Sequence, residues 1–137
     1  YASVYGHLKA AVEELAAALE ARGQKVSVFD LARDDMAEAV EDAFRYNRLV
    51  LASITYQGEI FPFMSTFIHT LAEHAYQNRT VALVEAGSWA PAAAKVMTKE
   101  LEGMKDITLA QNKVTVLGSL NDASRAQIEA LADELSK

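Results

Sequence analysis

The stretches Leu49-Val50-Leu51-Ala52-Ser53-Ile54 and Val81-Ala82-Leu83-Val84 decide the fold class. Each is nearly unbroken apolar sequence, whereas a strand with one wet face would alternate apolar and polar residues. Such runs suit strands covered on both faces, as in a parallel sheet flanked by helices. Between them, Met64, Phe67, Ile68 and Leu71 recur at helical spacing. Upstream, Leu8, Val12, Leu15 and Leu19 form another helical stripe, with Gly23 where a left-handed C-terminal cap belongs. Lys25-Val26-Ser27-Val28-Phe29 then reads as a short strand rich in β-branched residues. Asp34 or Asp35 can cap a second helix with Met36, Val40, Ala43 and Phe44 inward, and Glu38 stands in the capping-box position after Asp35. Downstream, Pro91 opens a helix carrying Val96, Met97 and Leu101, and Gly103 follows its end. Val114-Thr115-Val116-Leu117 makes a last strand, and Asn121 or Asp122 caps a final helix with Ile128, Leu131 and Leu135 inward.

Helices and strands therefore alternate, which predicts one α/β domain over residues 1–137: a doubly wound parallel sheet with helices on both faces. Only Tyr1-Ala2 precede the first loop, and two residues cannot make a buried strand. The first, central strand is expected upstream of Tyr1, leaving a gap in the sheet.

Composition bounds the chemistry. Of 137 residues, 51% are apolar, and 13 Lys+Arg against 19 Asp+Glu give a net charge of −6. An acidic chain without clustered Lys and Arg does not suit a nucleic-acid or anionic-membrane surface. No apolar run reaches the ~18–20 residues that span a bilayer, and a cytoplasmic location is expected. With no Cys there is no disulfide framework, thiolate nucleophile or cysteine metal site.

In open parallel sheets, ligands sit at the carboxyl ends of the strands. The loops to weigh there are 3–8, 32–35, 54–61, 86–90 and 118–121. Ser3-Val4-Tyr5-Gly6-His7-Leu8 leads into a helix whose N-terminal amides and dipole favour an anion such as phosphate, although an ordinary strand-to-helix turn would look the same. Thr55-Tyr56-Gln57-Gly58 and Gly87-Ser88-Trp89-Ala90 each put an aromatic and a glycine just past a buried strand. Tyr56 and Trp89 could sandwich a flat ring or simply cover the sheet edge. The dinucleotide glycine fingerprint, the phosphate-binding G-x-x-x-x-G-K-[ST] loop and the G-x-S-x-G nucleophile elbow are all missing. His7, His69 and His74 have no metal-ligand spacing, so neither a metal site nor a catalytic residue is assigned. Asp30, Asp34, Asp35, Glu38, Glu41 and Asp42 read as a solvated acidic face. A response-regulator receiver would need an aspartate where Ser53 ends its strand.

Several strings together resemble the flavodoxin-like domain of flavodiiron proteins (A-type flavoproteins). They are Tyr1-Ala2-Ser3-Val4-Tyr5-Gly6-His7, Val28-Phe29-Asp30-Leu31-Ala32-Arg33, Leu51-Ala52-Ser53-Ile54-Thr55-Tyr56, Ile60-Phe61-Pro62 and Gly87-Ser88-Trp89-Ala90-Pro91. The resemblance runs through the chain in matching order, and Gly-Ser-Trp-Ala-Pro is its most specific part. It implies strand order 2-1-3-4-5 and bound FMN. Ser3, Val4, Tyr5, Gly6, His7 and Leu8 would then hold the phosphate. Thr55, Tyr56, Gln57 and Gly58 would border the flavin on one side, and Gly87, Ser88, Trp89 and Ala90 on the other. Gln57-Gly58 would be the peptide that flips on flavin reduction. The family commonly has Thr where this chain has Leu8, so Leu8→Thr is expected to tighten FMN binding.

By the same resemblance the chain is an electron-transfer component of an oxidoreductase. Its FMN would serve a diiron O2 or NO reductase centre on a metallo-β-lactamase-like domain, in cis or on a partner subunit. A rubredoxin-like protein or a flavin reductase would supply the electrons. The diiron ligands themselves are not among these residues. A stand-alone flavodoxin or FMN-dependent reductase, and a flavodoxin-fold interaction module without cofactor, are the alternatives.

Overall fold

The computed structural model describes residues 1–2, 6–56, 59–60, 62–87, 92–117 and 120–136. In chain order these form α1 (Gly6–Ala21), α2 (Met36–Arg45), β1 (Arg48–Tyr56), β2 (Glu59–Ile60), α3 (Pro62–Glu73), β3 (Arg79–Gly87), α4 (Ala93–Leu101), β4 (Ile107–Leu109), β5 (Val114–Leu117) and α5 (Asp122–Leu135).

β1 and β3, the two apolar runs, pair in parallel from Arg48↔Thr80 to Ile54↔Ala86. Side chains along a strand alternate between faces, and both faces here are dry. Leu51, Val81 and Leu83 belong to one apolar cluster with α2, α3 and α4. Ala52, Ala82 and Val84 belong to the other, with α1 and α5. The helical stripes sit inward as their spacing predicts: Met64, Phe67, Ile68 and Leu71 are buried on α3, and Ile128, Leu131 and Leu135 on α5. Gly23 ends the first helical segment at φ +83°, a conformation that disfavours any Cβ. Asp35 caps α2 by accepting from Ala37 N, and Asn121 caps α5 in a reciprocal pair with Ser124. The acidic residues from Asp30 to Asp42 lie mostly exposed, as expected of a solvated face.

The last expected strand stands at Val114–Leu117 as β5, and a short strand that sequence patterning does not show, β4, precedes it. β4 and β5 both pair in parallel with β3, β4 at Arg79–Val81 and β5 at Val84–Gly87. They share one lane, broken where Ala110 N donates to Val81 O (2.8 Å).

The other side of β1 corrects the sequence reading. Residues 25–29 are not a strand. Their β-branched side chains favour extended backbone, but a strand needs a ladder. Among the described residues only Tyr1 bonds alongside: its amino group donates to Phe29 O (2.6 Å), and its carbonyl accepts from Leu31 N (2.9 Å). Ala2 N reaches Ala52 O (3.0 Å) on the opposite side, and Ala2 makes a single parallel bridge to Ser53. The lane order is therefore 2-1-3-4-5, with Tyr1-Ala2 the described residues in lane 1. Between residues 25–29 and β1 a gap remains, a cavity of about 390 Å³ lined by Tyr1, Leu15, Leu19, Val26, Val28 and Val50 among others.

Burial in this gap drives the Tyr1 amino group from its ordinary pKa of 8.0 down to about 6, against the opposing pull of Asp30 and Asp34. Between pH 8 and 6 the unfolded chain thus binds more protons than the folded one. A two-unit depression removes about 2–3 kcal/mol of stability as pH falls through that window. We expect urea midpoints of the 137-residue chain with a free amino terminus to drop accordingly, and Nα-acetylation to abolish most of the drop. Equal pH dependence in both forms would refute the assignment.

Candidate functional site at the carboxyl edge of the sheet

The carboxyl ends of β1, β3 and β5 define one edge, marked by Tyr56, Gly87 and Leu117. Because Ala2 is bridged to Ser53, α1 begins at the same edge. The first amides of a helix have no intrahelical acceptor, and α1 carries no acidic residue in its first turn. A set of neutral amides at the positive end of a helix dipole, undisturbed by a carboxylate, fits a phosphate monoester. Of the residues expected there, Gly6 and His7 stand at the start of α1, while Ser3, Val4 and Tyr5 lie outside the described residues. Leu8 differs from expectation. Its side chain is 1% exposed, within the apolar cluster of α1, α5 and the sheet. A hydroxyl introduced by Leu8→Thr would therefore enter apolar surroundings at that position.

After β1 the chain folds back as a hairpin. Thr55 pairs with Ile60 and Tyr56 with Glu59, so β2 is a short antiparallel arm that the sequence reading left as loop. Gln57 and Gly58 fall between these paired residues and lie outside the described ones. So do Ser88, Trp89 and Ala90, which follow Gly87 at the end of β3. The half-buried Thr55 Oγ1 accepts from Ala92 N (2.8 Å). This bond ties the end of β1 to the residue that follows loop 88–91. Thr55, Tyr56 and Gly87 thus reach one edge with the start of α1.

Beneath this edge lies a polar row that the sequence reading missed. Ser53 pairs with Glu85, and Glu85 with Thr115, across the three lanes. Ser53 and Glu85 are 0% and 3% exposed. The Glu85 carboxylate accepts from Ala94 N in the first turn of α4 (3.0 Å) and from Thr115 Oγ1 (2.8 Å). Lys113 Nζ stands 3.3 Å from it. A buried carboxylate is tolerated when it is paired and hydrogen-bonded in this way, and a helix N-terminus favours its charge. The available signal was a charged residue directly continuing Val81-Ala82-Leu83-Val84, where burial on both faces leaves a carboxylate no route to water.

The remaining titratable residues do not build a centre. His69 and His74 are exposed, as their sequence context suggests, and His69 lies 3.8 Å from Glu100. Among the described residues there is no group of three or more acids and histidines able to hold a metal ion. Among the same residues, no helix is long and apolar enough to cross a membrane.

No family model matches the sequence, and no curated protein matches it either. Solved structures do match the fold. The rubredoxin:oxygen oxidoreductase of the anaerobe Desulfovibrio gigas superposes with a TM-score of 0.92 at 17% identity, over 99% of this chain and 34% of that one. The flavodiiron protein of Giardia intestinalis gives 0.87 at 14% identity, over 97% of this chain and 33% of that one. A flavodoxin from the domain Archaea gives 0.84 at 17% identity, over 98% of this chain and 91% of that one. The chain spans about a third of the length of the first two. It has a flavodoxin-like fold, shared with flavodoxins and with flavodiiron proteins.

Proposed function

We propose that this chain is an FMN-binding electron-transfer domain of the kind found in flavodiiron proteins. The observation that carries the reading is the donor set at the carboxyl edge: first-turn amides of α1, which have no intrahelical acceptor, with no acid among their residues, beside the end of β1 tied through Thr55 to Ala92. FMN supplies reversible uptake and release of electrons, which no side chain here can perform. The protein's own part is to bind and orient. Amides at Gly6, His7 and Leu8, with Ser3, Val4 and Tyr5 before them, hold the phosphate. Thr55, Tyr56, Gln57 and Gly58 flank one side of the ring system and Gly87, Ser88, Trp89 and Ala90 the other, with Tyr56 or Trp89 covering a ring face against water. The acceptor in this reading is a diiron O2 or NO reductase centre on a metallo-β-lactamase-like domain, in cis or on a partner subunit. The donor is a rubredoxin-like protein or a flavin reductase, and the setting is the cytoplasm.

The archaeal flavodoxin, of which the chain covers 91%, favours a second reading: a stand-alone flavodoxin or FMN-dependent reductase. Titration of FMN against the chain tests the site common to both. Saturable one-to-one quenching of flavin and tryptophan fluorescence is expected. Absence of saturation would leave a flavodoxin-like interaction module without cofactor. NAD(P)H oxidation by the loaded protein would favour the reductase over the flavodiiron-type domain.

A further inference from the structure

Glu85 sits within two residues of Gly87, the last described residue before loop 88–91, and its carboxylate bonds Ala94 N just after that loop. It is therefore fastened to the strand entering the loop and to the helix leaving it. Among the described residues, the cation paired with it is Lys113 at 3.3 Å; Thr115 Oγ1 and Ala94 N at the start of α4 contribute uncharged donors. The two partners differ in access: the Glu85 side chain is 4% exposed and that of Lys113 is 52% exposed. Water screens little of a charge so buried. Removing either partner leaves the other's charge uncompensated beneath the candidate site, with opposite sign in the two cases.

Resting on the FMN reading above, we infer that the Glu85–Lys113 pair sets the electrostatic balance of the flavin site and so its preference for oxidised over reduced FMN. Reduction adds two electrons and one proton to the neutral ring system, giving the anion FMNH−, so its product carries one more negative charge than its reactant. An uncompensated Lys113 stabilises that product and an uncompensated Glu85 opposes it. Glu85 acts as a charge-balancing residue, reaching the cofactor through its electric field.

The test compares wild type, Glu85→Gln and Lys113→Met, with dithionite as the reductant in the reduced titrations. For each, the affinity for oxidised FMN and for FMNH− is measured, and the ratio of the two is the readout. Glu85→Gln keeps an acceptor for Ala94 N while deleting the charge, and should raise the relative affinity for FMNH− several-fold. Lys113→Met alters a half-exposed side chain and should lower it several-fold. A purely structural pair would reduce thermal stability in both variants and leave the ratio at its wild-type value, which overturns the inference while FMN binding stands. Shifts of the same sign in both variants overturn it as well. Should Glu85→Gln fail to fold, the Lys113→Met shift alone decides. If wild type binds no FMN in either state, the functional reading fails and this inference fails with it.

Discussion

Arg79→Met should destabilise the chain by about 3–6 kcal/mol, the sum of two part-buried hydrogen bonds from a charged donor at roughly 1.5–3 kcal/mol each. Arg79 Nη2 donates to Phe44 O and Nε to Tyr46 O, both at 3.0 Å. These carbonyls belong to the last turn of α2 and the residue just after it, where helical acceptors run out. A third bond, from Nη1 to Gln77 O at 2.7 Å, is exposed and adds little. The guanidinium also lies 5.3 Å from the centre of the buried Tyr76 ring, which meets Phe44 edge-on at 5.1 Å. Methionine keeps the apolar stem but supplies no donor, leaving two half-buried carbonyls orphaned and α2 untied from the start of β3. Urea unfolding measures the loss. Arg79→Lys, with a single cationic nitrogen, should fall between the two. A loss under ~1 kcal/mol would mean that water replaces the guanidinium freely.

Leu8→Thr should lower stability by about 2–4 kcal/mol, because it removes buried methyl groups and puts a hydroxyl into an apolar cluster. The folded protein's affinity for FMN should stay unchanged. Family resemblance points the other way, to a hydroxyl gained at the phosphate and tighter binding by about one to two decades. The two expectations differ in both observables, so thermal melting and FMN titration of one variant separate them. Retained stability with tighter FMN binding would show that side chain 8 turns toward the phosphate.

The case of Leu8 shows where linear sequence stops informing. Spacing puts Leu8 on the inward stripe with Val12, Leu15 and Leu19, while the family resemblance puts it at the phosphate. Both describe one residue, and packing against α5 and β5 decides for its side chain. The same division runs through the site. Glycines, aromatics and a helix start at the carboxyl ends of strands were legible because each strand and helix carries its own periodic signal. The Thr55–Ala92 bond, between residues 37 apart in the chain, and the row Ser53–Glu85–Thr115 were not. They depend on parallel register, which no local pattern encodes.

Sequence patterning by itself determined the fold class, and the lane order entered only as what the family resemblance implies. Two apolar runs required cover on both faces, helical stripes supplied it, and caps at Gly23, Asp35 and Asn121 fixed the boundaries. Tertiary structure alone decided that residues 25–29 form no strand, since a ladder needs a partner and among the described residues only Tyr1 bonds beside them. It also decided that a further short strand, Ile107–Leu109, joins the sheet before Val114–Leu117 and that the hairpin Thr55–Ile60 closes. Above all it set a buried carboxylate under the candidate flavin loop. Glu85 looks like an error in a buried strand until register brings Thr115, Lys113 and the first turn of α4 within bonding distance of one carboxylate. Hydrophobic periodicity is a property of neighbours along the chain, whereas electrostatic compensation is a property of neighbours in space.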